Sequence, residues 1–148
     1  MKFILAILVF SLSAFAQSVS PVITECGKKC SDEYTVTNLG IHPMTVTIEV
    51  KVLKFVEGKA TYYNPDASVQ VDMSEMSARV AAHDSHTFGY KIHCDVLPCA
   101  VNIWNVFTTG KPQANGMLMR LAVPHVTWVC AKENDCRKKS LAASGVKE

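Results

Sequence analysis

The sequence predicts an all-β protein, a β-sandwich of about seven strands that disulfide bonds hold together. Three observations favour this fold class: runs in which apolar and polar residues alternate, turn signals between those runs, and six cysteines in a chain of 148 residues. Alternation with a period of two is typical of a strand with one buried face. Several such strands separated by regular turns, with no long helical pattern, are typical of a sandwich.

The longest alternating run lies between Tyr34 and Phe55. From Met44 to Val52 apolar residues occupy every second position, while threonine, glutamate and lysine occupy the others. The β-branched residues favour a strand here, because a helix would crowd them at χ1. A shorter run ends at Asn38-Leu39-Gly40, where asparagine and glycine tolerate the positive φ of a turn. The pattern therefore predicts a hairpin that the rest of the chain covers.

The remaining predicted strands follow along the chain, and only the segment from Ser74 to Asp84 is less regular. Pro21 interrupts the first strand and Pro124 bends the last one, and proline inside a strand indicates a sheet edge. The predicted strands are Val19 to Thr24, Lys59 to Tyr63, Ser68 to Met73, Ser85 to His93, Val101 to Thr108 and Met117 to Val129.

The N-terminal segment 1–16 has the composition of a signal peptide. Lys2 precedes an apolar run from Phe3 to Phe10 that is too short to span a bilayer, and Ala14-Phe15-Ala16 fits a cleavage site. We expect a signal peptide at 1–16, a sandwich domain at 17–130 and a polar C-terminal tail at 131–148. The mature protein is then expected to be periplasmic or secreted, without a membrane span.

The six cysteines lie in the part of the chain that follows this segment, and an even number in an exported chain predicts disulfide bonds. Neighbouring cysteines pair most simply, as Cys26–Cys30, Cys94–Cys99 and Cys130–Cys136. An immunoglobulin-like strand order would bring all six to one end of the sandwich, which keeps a cross-strand Cys30–Cys94 bond open as an alternative. Two of the spacings are also near those of zinc ligands, although export favours disulfides.

Composition and short motifs indicate neither an enzyme nor a nucleic-acid partner. The formal net charge is +2, and Arg137-Lys138-Lys139 is the one basic run. His83-Asp84-Ser85-His86 contains the residue types of a catalytic triad, but adjacent residues point in different directions, so structural or solvated roles are favoured over metal binding and catalysis. Trp104 and Trp128 are predicted to pack in the core, with ligand stacking as the alternative. We predict no catalytic residue, no metal site and no cofactor.

Three segments in order resemble the first domain of the periplasmic pilus chaperones, the PapD-like family. The segments are YTVTNLGIHPMTVTIEVKVL, VQVDMSEMSARVAAHDSHTFGYKI and MLMRLAVPHVTWV. The resemblance covers about Val19 to Val129 and implies an immunoglobulin-like sandwich, export, and the binding of another chain's strand. The departures are the room for only one domain, the six cysteines, and a first strand, PVITEC, without the arginine that anchors a pilus subunit's carboxylate. The resemblance therefore does not imply that the chain is itself a pilus chaperone.

The first and last predicted strands are expected to lie side by side at a sheet edge. Such an edge presents unpaired N–H and C=O groups to an extended segment of another protein. The alternative is that Pro21 and Pro124 blunt the edge and prevent pairing. The candidate partner-binding residues are Val19, Val22, Ile23, Leu121 and Val123.

We therefore expect a non-catalytic, chaperone-like or accessory binding module that engages another protein through this edge. Two alternatives stay open: a self-associating structural component of the periplasm or cell surface, and a small metal-binding protein or hydrolase.

Overall fold

The computed structural model describes residues 17–109, 120–132 and 136. The expected signal peptide, Met117 to Met119 of the last predicted strand and most of the expected tail lie outside the described residues. Within the described part, no helix is long and apolar enough to cross a membrane. The strands of this part are β1 Gln17–Ser20, β2 Ile23–Cys26, β3 Cys30–Asn38, β4 Met44–Val56, β5 Lys59–Tyr63, β6 Val69–Met73, β7 Ser77–Val80, β8 Asp84–Cys94, β9 Cys99–Thr109 and β10 Arg120–Val129.

The strands form two sheets that enclose one core, which confirms the predicted β-sandwich. Sheet A has the strand order β1–β3–β8–β6, and sheet B has the order β2–β10–β9–β4–β5, with β7 also pairing with β4. Neighbouring strands are antiparallel except β2 and β10, which are parallel. The strands outnumber the prediction of about seven because the first predicted strand is divided at Pro21 and because Ser77–Val80 forms an additional short strand.

The predicted hairpin between Tyr34 and Phe55 is wrong. β3 pairs with β1 and β8 in sheet A, whereas β4 pairs with β5, β7 and β9 in sheet B, so the segment 39–43 crosses between the sheets. A period of two shows which face of a strand is buried, but it does not show which strand lies beside it. Both strands bury their apolar faces equally well in a hairpin and in two facing sheets.

Asn38 holds this crossing together and is fully buried. Its Nδ2 donates to the carbonyls of His42 at 2.8 Å, Ala81 at 3.0 Å and Val80 at 3.3 Å. Its Oδ1 accepts the backbone N–H of Gly40 at 3.0 Å. Neither Asn38 nor Gly40 has a positive φ, contrary to the expectation from sequence. We refer to Asn38 and the segment 39–43 as the asparagine corner.

The core lies between the sheets and is made of alternate residues of the long strands. Burial of each large apolar side chain contributes about 1.5–3 kcal/mol. The largest fully buried side chains include Tyr34, Phe88, Phe107, Ile103 and His125.

Three disulfide bonds connect neighbouring cysteines, which confirms the simplest pairing and rules out the Cys30–Cys94 alternative. The bonds are Cys26–Cys30, Cys94–Cys99 and Cys130–Cys136. Strand register places them at the same end of the sandwich, since Cys30 lies opposite Ile92 and Val129 lies opposite both Cys26 and Cys99. We refer to this end as the disulfide end. Because all six thiols are paired, they are not available as zinc ligands.

Trp104 and Trp128 do not pack between the sheets as predicted. Trp104 lies opposite Glu49 and Trp128 lies beside Glu25, so both indoles are half-buried on the outer face of sheet B. The ring of Tyr62 meets that of Trp104 edge-to-face at 6.1 Å. β9 is apolar on both faces, and its alternation therefore gave no indication of which face turns inward.

Candidate partner-binding edge

The chain changes sheets at Pro21, between its first two strands. β1 pairs with β3 in sheet A, whereas β2 pairs with β10 in sheet B. The register places Ile23 opposite Val126 and Cys26 opposite Val129. β2 therefore covers only the end of β10. Among the described residues, no strand pairs with the outer side of β10 from Arg120 to His125, and we call this side the open edge.

Alternation along β10 assigns the backbone groups at the open edge. The N–H of Val126 donates to the carbonyl of Val22 at 2.8 Å, so even-numbered residues of β10 direct their N–H and C=O groups away from β9. Arg120 and Ala122 therefore present both groups at the open edge. Pro124 presents only its C=O, because proline has no N–H. The proline thus blunts one position and leaves two positions able to pair.

The five candidate residues lie in β1, in or just before β2, and in β10. Val19 is only 5% exposed and belongs to the core beside β3. Val22 and Ile23 are 52% and 49% exposed at the start of β2. On β10, Leu121 is 41% exposed and Val123 is half-buried against the core. The structure therefore leaves four of the five beside β2 and β10 and places Val19 inside.

A buried polar network behind the open edge was not predicted from the sequence. His125 is fully buried, with Nδ1 2.7 Å from the carbonyl oxygen of Pro21. Its Nε2 lies 3.1 Å from both the Tyr90 hydroxyl and Thr127 Oγ1. Because a carbonyl only accepts hydrogen bonds, Nδ1 carries the proton and Nε2 accepts from a hydroxyl. The ring of Tyr34 stacks on the imidazole at 4.5 Å.

The same network reaches the backbone of β10, on the side that faces β9, through Asn105. Tyr34 donates its hydroxyl hydrogen to Asn105 Oδ1 at 2.9 Å. Asn105 Nδ2 in turn donates to the carbonyl of Val123 at 3.2 Å. The signal that would have found His125 and Thr127 is a polar side chain at an inward position of an apolar alternation, as in VPHVTWV, whereas Asn105 lies in VNIWNVF, which is apolar on both faces and gives no such signal.

Burial shifts the ionisation of the three titratable groups in this network. It raises the pKa of the Tyr34 and Tyr90 hydroxyls and lowers the pKa of the His125 imidazole. The hydrogen bond from the imidazole to Pro21 and the nearby carboxylate of Asp32 oppose the shift at His125. All three groups are therefore neutral near pH 7, which suits a site without a bound counter-ion.

The four residues His83 to His86 make separate contacts rather than one constellation. His83 lies in a turn with a φ of 57°, the Ser85 hydroxyl lies 2.9 Å from that of Thr37, and His86 Nε2 pairs with a carboxylate oxygen of Glu75. Within the part of the chain that the structure describes, no three side chains of the metal-binding types form a group.

No family model matches the chain, and no curated protein matches it. Several solved structures, in contrast, match the chain. A chain of the CsuC–CsuE chaperone–tip adhesion subunit pre-assembly complex from the archaic chaperone-usher Csu pili of Acinetobacter baumannii superposes with a TM-score of 0.57 at 15% identity, over 83% of this chain and 64% of that one. The class 5 fimbriae chaperone CfaA gives a TM-score of 0.61 at 9% identity, over 80% of this chain and 58% of its own.

A third similar structure is a single domain. The ASH/PapD-like domain of human CEP192 superposes with a TM-score of 0.52 at 11% identity, over 91% of this chain and all of that domain. The chain thus spans less than two thirds of the two pilus-related chains but the whole of the CEP192 domain. At these identities the likeness establishes the fold alone: the chain has the PapD-like, immunoglobulin-like sandwich that its sequence predicted.

Proposed function

We propose that the protein is an exported, non-catalytic binding module that engages an extended segment of another protein at the open edge of β10. The observation that carries this proposal is the set of backbone N–H and C=O groups of Arg120 and Ala122, which face away from β9 without a strand partner in the described residues. An added strand there would form main-chain hydrogen bonds, while Leu121 offers exposed apolar surface beside it.

The similar structures support a binding role. One belongs to a complex of a chaperone with a tip adhesion subunit before assembly, and another is a fimbrial chaperone. Three disulfide bonds support export, because such bonds persist in oxidising compartments. We accordingly place the mature protein in the periplasm or outside the cell, after removal of segment 1–16.

The substitution Ala122→Pro tests the proposal by removing one backbone N–H group from the open edge. Proline removes the outward N–H of residue 122 without touching the pairing with β9, and Ala122→Ser is the matched control because it keeps that N–H. The probe is a panel of extended synthetic peptides in which valine alternates with serine. We expect the peptides to shift the NMR amide signals of Arg120 and Ala122 in the wild type and in Ala122→Ser. We expect no shift of the Arg120 signal in Ala122→Pro.

Shifts that persist in Ala122→Pro, or that map to other strands, would contradict the open edge as the binding site. Sedimentation without peptide separates the alternative of self-association. A dimer that forms with rising concentration in the wild type, and not in Ala122→Pro, would make a second copy of the chain the strand that binds.

A further inference from the structure

His125 connects the interior to the place where the chain changes sheets. Its Nδ1–H donates to the carbonyl of Pro21 at 2.7 Å, in the same short segment whose Val22 carbonyl accepts the N–H of Val126. Two hydrogen bonds from adjacent residues of β10 therefore hold residues 20–23, which we call the crossing segment, against the edge of sheet B.

The crossing segment lies between this imidazole and the solvent. Ser20, Pro21, Val22 and Ile23 are all exposed, whereas His125 beneath them is fully buried. On its other sides the imidazole is packed against the rings of Tyr34 and Tyr90 in the core. If water is to reach His125, the crossing segment is the part that has to move.

We propose that His125 is an acid-operated latch: protonation of its Nε2 releases the crossing segment and β2 from β10 and lengthens the open edge towards Val129. The benefit of a longer edge rests on the binding function proposed above, but the opening itself does not. Among the described residues β2 is an edge strand of four residues that pairs with β10 alone, so its release leaves both sheets otherwise intact.

The groups around His125 explain why the charged form favours opening. Tyr34 and Tyr90 are neutral, Thr127 and Asn105 are uncharged, and Asp32 of β3 is the nearby carboxylate. The hydrogen bond to Pro21, which a charged imidazole strengthens, and the exposed, solvent-screened carboxylate of Asp32 offset only part of the cost of burying an imidazolium.

The sign of the pH effect follows from the lowered pKa. In the closed form the pKa of His125 lies below its ordinary value of 6.5, because burial disfavours the charge. Above pH 6.5 neither the closed nor the opened form binds the proton, and the latch stays closed. Below pH 6.5 the opened form binds a proton that the closed form does not, so opening becomes more favourable as the pH falls, by at most about tenfold per pH unit, until the lower pKa is reached.

Hydrogen exchange measured without any peptide tests the latch. The amide of Val126 donates to the carbonyl of Val22, just before β2, at 2.8 Å, and the amide of Cys130 donates to Cys26 at the end of β2 at 2.9 Å, whereas the amide of Thr127 points towards β9. The ratio of protection at Val126 to protection at Thr127 cancels the intrinsic pH dependence of exchange. We expect this ratio to fall as the pH is lowered below 6.5 in the wild type, by at most about tenfold per pH unit, and to level off below the pKa of the closed form.

His125→Asn removes the titration and keeps an amide N–H near the position of Nδ1. The control is His93→Asn, which alters an exposed histidine that lies 3.4 Å from Asp95. We expect the protection ratio to become independent of pH in His125→Asn and to fall as before in His93→Asn. A ratio that still falls with acid in His125→Asn would overturn the proposal.

Direct titration of His125 by NMR in the wild type decides the matter where His125→Asn does not fold. We expect the imidazole to take up its proton over the pH range in which the protection ratio falls. A ratio that falls while the imidazole stays neutral overturns the latch. Peptides that fail to bind at any pH, with a ratio that still follows His125, would remove the proposed binding function and leave the latch standing.

Discussion

The two ends of the sandwich are held by different means. At the disulfide end, three covalent bonds close short loops where strands enter and leave the two sheets. At the opposite end, the buried side chain of Asn38 donates to Val80 and Ala81 at the end of β7, and it also donates to His42 and accepts from Gly40 within the asparagine corner. Two of the disulfide bonds, Cys26–Cys30 and Cys94–Cys99, and the asparagine corner solve the same problem, which is to fix a connection that crosses from one sheet to the other.

The difference lies in the state on which each device acts. A disulfide bond stabilises mainly by restricting the unfolded chain, and a short loop gives a modest effect. A buried asparagine acts in the folded state alone, where its loss leaves several backbone groups without partners. The covalent end is therefore expected to tolerate change better than the asparagine corner, although it contains more bonds.

The largest effect is expected from Asn38→Ala. The substitution leaves the carbonyls of His42, Val80 and Ala81 and the N–H of Gly40 without their side-chain partner. We expect the free energy of unfolding to fall by about 3 kcal/mol, because each unsatisfied buried group costs on the order of 1 kcal/mol or more. Urea-induced unfolding followed by tryptophan fluorescence measures the change.

Two variants control this experiment. Asn38→Asp keeps an acceptor for Gly40 but turns a carboxyl oxygen towards the carbonyls that Nδ2 contacted, so it should lose at least as much stability as Asn38→Ala. Asn64→Ala removes an exposed asparagine whose Oδ1 accepts from Lys51 at 2.7 Å, and it should change stability by less than about 0.5 kcal/mol. An Asn38→Ala variant as stable as Asn64→Ala would show that water replaces the lost bonds and that the corner is not held by this side chain.

A smaller loss is expected from breaking one bond at the disulfide end. Cys94 and Cys99 enclose a loop with a sequence separation of 5, for which the chain-entropy model gives about 2 kcal/mol. We expect the double variant Cys94→Ala/Cys99→Ala to lose about that much in the same urea experiment. The Cys26–Cys30 bond, with a separation of 4, is the matched comparison and should give nearly the same loss. Losses that differ by more than about 1 kcal/mol would show that native contacts, rather than loop closure, set the contribution.

The sequence predicted the disulfide end far better than the asparagine corner. Even numbers and short spacings of cysteines carry pairing information along the chain, and all three bonds follow it. Asn38 gave the opposite result. Its place before Leu39-Gly40 is typical of a turn, but its function depends on Val80 and Ala81, which are more than forty positions away. A contact of that length leaves no mark in a single sequence.

The side-by-side placement of β2 and β10 was predictable from the sequence, whereas the buried polar network behind them was not. Pro21 and Pro124 pointed to an edge, because proline cannot donate to a ladder, and β2 and β10 do lie side by side. Val19 was assigned to the same site, but it pairs in the other sheet, since the chain changes sheets just after it. The alternation around His125 indicates that it lies in a strand. It does not indicate its partners at Pro21 and Tyr90, because the fold brings them together, and the role of His125 was therefore missed.

The smallest effect, and the sharpest test of the comparison, is the coupling between the two ends. Asn38 lies opposite Asp84 at one end of the eleven-residue strand β8, and Cys94 lies at the other end, roughly 30 Å away at 3.3 Å per residue. Sites so far apart with no shared partner lose stability additively. We expect the triple variant Asn38→Ala/Cys94→Ala/Cys99→Ala to lose the sum of the two separate losses, within about 0.5 kcal/mol. A loss well below that sum would mean that opening one end already loosens the other through β8, and the two ends would then be parts of one cooperative unit rather than independent solutions.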